Sequence, residues 1–190
     1  MTGAKADLLS PIAAPVRSLA EIEANDTYEA LMWALARPGT VQKLPSPAMA
    51  AIADSLVDRE CGVFAPDDEL WAAIAATGAG RVDAGRADHA FLRLDTPDGI
   101  AALAELPVGS ALYPDDGATV LAHARLGEGR RVRLSGPGIE STTEILVGGL
   151  PDEVWAIRAS RCLYPTGFEL FLIDGDRVLG LPRSTTIEVI

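Results

Sequence analysis

Phe168-Glu169-Leu170-Phe171-Leu172-Ile173-Asp174-Gly175-Asp176-Arg177-Val178-Leu179-Gly180-Leu181 decides the fold of this chain. Two apolar runs meeting at Asp174-Gly175 predict a β-hairpin closed by a type I′ turn, which needs positive φ at both central positions. Each run carries apolar side chains on both faces, so the hairpin belongs in a sheet covered on both sides. Its borders differ in kind. Tyr164-Pro165-Thr166-Gly167 leads in and Pro182-Arg183-Ser184-Thr185-Thr186 leads out, both rich in turn formers and hydrogen-bonding groups. The ends of the hairpin are the first place to look for function.

Working back toward the N-terminus, residues 1–24 mix Ala, Pro and short apolar pieces without sustained periodicity and read as an arm lying on the domain or on a partner. Residues 25–190 read as one domain. Its first helix is predicted from Asp26 as N-cap, with Glu29 completing a capping box, an apolar stripe of Tyr28, Leu31, Met32 and Leu35, and a stop at Pro38-Gly39. Trp33 lies off that stripe, as an interface residue or a shoulder of the core. Ser46-Pro47 opens a second helix through Leu56. Strand and helix then alternate: Glu60–Phe64, a helix from Asp67 to about Ala76, His89–Leu94, and a helix capped by Thr96 to about Glu105. Alternation of this kind predicts an α/β sandwich, a sheet between helix layers. Farther on, Ala118–Leu126 and Arg130–Ser135 read as a hairpin through Gly127-Glu128-Gly129, and a helix runs from Pro151 to about Arg161. The fold class is therefore a single-domain α/β/α sandwich with a mixed sheet.

A chain of 190 residues suits one core, and no apolar run approaches the roughly 20 residues that span a membrane. The N-terminal residues lack the basic start and apolar segment of a signal peptide, so a cytoplasmic protein is expected. Two cysteines, Cys61 and Cys162, are too few for a disulfide framework or a four-thiolate zinc site. The net charge of −11 argues against nucleic acid as a partner.

Chemistry-bearing patterns are scarce. His89 and His123 have no paired-histidine spacing and no Cys-x-x-Cys to join them, so no metal is expected. No Gly-x-Ser-x-Gly, P-loop or Gly-x-Gly-x-x-Gly occurs, and Pro137 turns Ser135-Gly136-Pro137-Gly138 into a tight turn rather than a phosphate loop. The only lysines are Lys5 in the arm and Lys43 behind Pro-Gly, neither placed for a Schiff base, so no cofactor is expected. Strand alternation puts His123 and Arg125 on one face of the first hairpin, with Arg131 and Arg133 sharing it across the turn. That face is either a solvated outer surface or a contact for an anion or acidic partner. Arg183, beside Ser184 at the strand exit, is either a clamp on backbone carbonyls or an anion contact.

Ala34-Leu35-Ala36-Arg37-Pro38-Gly39, Tyr113-Pro114-Asp115-Asp116-Gly117-Ala118-Thr119, Leu134-Ser135-Gly136-Pro137-Gly138-Ile139, Tyr164-Pro165-Thr166-Gly167 and Leu181-Pro182-Arg183-Ser184-Thr185 follow one another in an order that resembles the PhnH family of the bacterial carbon–phosphorus lyase system. The resemblance spans about residues 26–188. It implies a fold similar to that of pyridoxal-phosphate transferases without their cofactor site. It also implies an accessory subunit in phosphonate catabolism, partnered by PhnG, PhnI and PhnJ and able to self-associate as a homodimer. Such a subunit supports formation of ribose 1-methylphosphonate 5-triphosphate from methylphosphonate and ATP. The family supplies no catalytic residue to carry over. The competing expectation is a free-standing enzyme or binding protein acting on a phosphate or nucleotide ester.

Overall fold

The hairpin is present as β8 (Glu169–Asp174) and β9 (Arg177–Leu181), paired from Leu170↔Leu181 to Asp174↔Arg177. Its turn departs from expectation. The central residues are Gly175 and Asp176, and only Gly175 has positive φ, at +62°. Glycine at the first central position is the type II′ pattern, in place of the I′ turn read from Asp-Gly. Leu170, Phe171, Leu172 and Ile173 are all buried, as are Val178, Leu179 and Leu181, so the hairpin is covered on both faces.

The computed structural model describes residues 16–47 and 49–190. In chain order its remaining elements are α1 (Leu19–Ala36), β1 (Gln42–Lys43), α2 (Met49–Leu56), β2 (Gly62–Phe64), α3 (Asp68–Ala75), β3 (Gly80–Arg81), β4 (His89–Leu92), α4 (Pro97–Glu105), β5 (Thr119–His123), β6 (Arg125–Ser135), β7 (Thr143–Gly148), α5 (Asp152–Arg161) and, after the hairpin, β10 (Thr186–Val189). Asp67 caps α3 through Leu70 N–H and Thr96 caps α4 through Gly99 N–H, as their positions predicted.

Helix α1 begins earlier than expected. Ser18, not Asp26, is its N-cap, and Glu21 completes the capping box at 3.2 Å and 2.7 Å, so residues 19–24 join the helix. Residues 1–15 of the expected arm lie outside the described residues. The buried stripe is also rotated: Thr27, Ala30, Leu31 and Ala34 face the sheet, while Tyr28, Met32 and Trp33 stay about half exposed. The cause is Gly180, where a Cβ would stand 2.6 Å from the Ala34 backbone. The helix lies so close to β9 that only its small-residue face fits, and the larger side chains turn outward.

The main sheet runs β1-β9-β8-β5-β4-β2-β3, parallel from β8 to β3 and antiparallel at β9 and β1. Side-chain alternation divides the core. Phe91, Leu121, Phe171, Ile173 and Val178 face α1, α2 and α3. Ala90, Leu92, Val120, Ala122, Leu170, Leu172, Leu179 and Leu181 face α4, α5 and a second sheet. The protein is α/β with a mixed sheet, as expected, and five α-helices among the described residues.

That second sheet, ordered β10-β6-β7 and antiparallel, was not anticipated. The segments read as a hairpin separate at Ala124: β5 stays in the main sheet, and β6 enters the small one. Gly127-Glu128-Gly129 is a bulge inside one continuous strand, marked by the register jump in which Leu126 and Arg130 both face Val147. Its glycines have φ of +96° and +87°. Positive φ at both glycines suits a turn or a bulge equally, so local sequence alone could not separate the two.

Candidate functional site

The main sheet opens at its switch point. The chain leaves β2 for α3 on one face and leaves β4 for α4 on the other, so a crevice forms beyond the carboxyl ends of these strands. Its volume is about 670 Å3, and His123 borders it from the end of β5. The mouth is acidic, with Asp67, Glu69 and Asp98 along it. Arg93, the one arginine lining it among the described residues, is held in a two-point ion pair by Asp95 at 2.8 Å and 3.2 Å. That hydrogen bonding holds the Asp95 carboxyl below its ordinary range. His123 therefore sits apart from Arg131 and Arg133.

Those two arginines belong to β6. Arg131 pairs with Glu144 of β7 at 3.4 Å, and Arg133 pairs with Glu144 at 3.1 Å and with Glu188 of β10 at 3.1 Å. Arg125 pairs with Glu128 at 2.5 Å. The four-cation face does not form, because β5 and β6 are not a hairpin. The arginines of β6 instead join the strands of the small sheet through solvated ion pairs.

Arg183 and Ser184 do come together, in a second cavity of about 460 Å3 between α5, the Cys162–Tyr164 loop and the segment leaving β9. Arg183 is largely engaged. Its Nε pairs with Glu169 Oε1 at 2.8 Å, its backbone N–H donates to Glu169 Oε2 at 2.8 Å, and its Nη1 donates to the Pro114 carbonyl. The loop holding Pro114 packs directly on the turn before β8, since a Cβ on Gly117 would run into the Gly167 carbonyl. Arg183 thus holds one backbone carbonyl and the Glu169 carboxylate together.

Sequence reasoning missed the residue behind it. Arg158, on α5, is 3% exposed and donates from Nη1 to the Thr185 carbonyl at 3.0 Å and from Nη2 to Pro182 at 2.6 Å and Leu181 at 3.4 Å. Burial lowers its pKa, since desolvation works against the cation. A signal was available: Val154, Trp155 and Arg158 share the buried face of α5, an arginine in an apolar stripe. Cys162, which lines the same cavity, and Cys61 are free thiols, burial pushes the Cys61 thiol up, and no group of three potential metal ligands occurs among the described residues.

Fold and cavities together define an α/β protein with a mixed main sheet, a small antiparallel sheet over part of one face, and a polar pocket where the last core strand ends. The chain belongs to the PhnH family, described as bacterial phosphonate metabolism protein, whose model matches residues 19–188. It is 31% identical over 185 residues to the alpha-D-ribose 1-methylphosphonate 5-triphosphate synthase subunit PhnH of Rhizobium meliloti (strain 1021), covering 87% of this chain and 90% of that one. It is 32% identical over 168 residues to HtxG of Stutzerimonas stutzeri, provisionally named a C-P lyase subunit protein, covering 85% and 84%.

Proposed function

We propose that this chain is a non-catalytic, accessory subunit of a carbon–phosphorus lyase complex in phosphonate catabolism. In that role it supports formation of ribose 1-methylphosphonate 5-triphosphate from methylphosphonate and ATP. The observation that carries the reading is the match along nearly the whole of both chains to a named subunit of the synthase. The partners in this reading are PhnG, PhnI and PhnJ subunits of the same cytoplasmic assembly, with a homodimer as the form outside it.

The surface supports a protein partner. Tyr28, Met32 and Trp33 stand exposed on the outer face of α1, and no helix among the described residues is long and apolar enough to cross a membrane. Part of the same reading is a kinship of fold with pyridoxal-phosphate transferases that does not extend to their cofactor. Lys43 is exposed and paired with Asp176 at 3.6 Å, unlike the desolvated amine a Schiff base requires, and Lys5 lies outside the described residues. The candidate contacts Arg183, Ser184, Arg131, Arg133 and His123 enter it as partner or positioning residues.

The test is reconstitution. The chain is expected to co-purify with PhnG, PhnI and PhnJ, and formation of the triphosphate, followed by phosphorus NMR, is expected to require it. Turnover by the chain alone would show it to be an enzyme. Full activity of an assembly lacking it would show that it is not the subunit proposed.

A further inference from the structure

Three of the residues lining the cavity beside Arg183 each carry a buried polar atom that finds no partner among the described residues. Arg158 Nε, Trp155 Nε1 and Thr185 Oγ1 each lack a hydrogen bond, and their residues are 3%, 5% and 2% exposed. Leaving a buried donor unsatisfied costs about 1–3 kcal/mol. Three such groups around one space exceed what a packed core ordinarily carries, and each unpaired group calls for an explanation.

Their chemistry is one-sided. A guanidinium N–H and an indole N–H can only donate, and a hydroxyl can donate as well, so the complement is a group that only accepts. Charge points the same way. Among the described residues Arg158 belongs to no ion pair, the Glu169 carboxylate is taken by Arg183, and no Asp or Glu lines the cavity. Two guanidinium groups and one carboxylate leave a positive charge in excess at this spot, in a chain whose net charge is −11. A buried unpaired cation is costly, and an anion beside it would offset that cost.

We infer that this cavity is a binding site for a small organic oxyanion, its head group against Arg158, Trp155 and Thr185. The volume, about 460 Å3, falls in the range of small-molecule pockets and exceeds what a bare ion fills. Leu163, Tyr164 and Ile187 form an apolar flank, so the ligand carries a short organic part beyond its anionic end. The site does not depend on membership of a complex, since an anion can enter the isolated protein.

Calorimetry and thermal melting of the full chain test this, with inorganic phosphate, methylphosphonate and succinate against chloride at equal ionic strength. At least one oxyanion is expected to bind with one-to-one stoichiometry and raise the melting temperature above the chloride control. Preference for phosphorus oxyanions would assign a tetrahedral head group, and preference for succinate a carboxylate. Thr185→Val keeps the shape and removes one donor. It is expected to weaken binding about tenfold or more, the loss typical of a hydrogen bond to a charged group. The free variant should melt no lower than wild type, because its hydroxyl had no partner to lose. Trp155→Phe should weaken binding likewise, while melting lower on its own because the smaller ring leaves a gap in the core. No effect beyond chloride for any anion, or equal binding by wild type and Thr185→Val, would overturn the inference.

Discussion

Arg183 and Arg158 line the same cavity and do different work. Arg183 ties the exit of β9 to Glu169 and to the loop at Pro114, so Arg183→Ala leaves a largely buried carboxylate without its partner. A loss of about 2–4 kcal/mol is expected in urea unfolding, toward the low end because the pair is about one-fifth exposed. Glu169→Gln in the Arg183→Ala background should recover part of it, because it removes the stranded charge. His89 offers a second residue-level test. Burial lowers its pKa, with Asp88 and Asp58 opposing more weakly, and its Nδ1 is buried without a partner. The unfolded chain therefore takes up the proton first, near the ordinary value of 6.5, while the folded imidazole stays neutral. Stability should be full above that value and fall as the pH drops below it, a slope that His89→Gln should lessen when denaturation midpoints are compared across that range. Arg183 was legible in the sequence, because it stands at the border of an unmistakable core strand. Arg158 was not picked out, because a charge within an apolar helical stripe is easily passed over as an ordinary surface residue.

At the scale of elements, helix caps and long strands were readable and contacts at a distance were not. Asp67 and Thr96 announced α3 and α4 because a capping interaction is local, completed within three residues. Asp26 with Glu29 has the capping-box spacing, but Ser18 with Glu21 has it too, and the structure uses the earlier pair. Strands β1 and β3 have two residues each, too short for any alternation to register. The orientation of α1 is set by Gly180, and there the strongest element-level prediction falls. Gly180→Ala would push α1 away from β9 and cost about 1–3 kcal/mol, the usual penalty of overpacking. Hydrogen exchange should show the loss of protection concentrated in α1 and β1. Unchanged exchange in α1 would mean that the helix is not held by this contact.

For the molecule as a whole, the fold class followed from the alternation of strand and helix, whereas the division into two sheets did not. The small sheet is assembled from residues 125–148 and 186–189, and pairings between β6 and β10 leave no local mark in either strand. A net charge of −11 over a surface with exposed Tyr28, Met32 and Trp33 predicts that assembly with partner subunits is steered by charge and held by apolar contact. Raising the salt concentration should slow association measurably in surface-binding kinetics and change dissociation much less.

The strand order carries a consequence for the newly made chain. β5 lies in the middle of the main sheet, yet its neighbour β8 is synthesised only after β6, β7 and α5, and β1 near the start waits for β9 near the end. While the ribosome is still at work, the parallel half of the sheet presents β5 as a bare edge, open to mispairing. Protection against protease in stalled nascent chains is therefore expected to arise in one late step, once Leu181 has cleared the exit tunnel, and not in stages along the sequence.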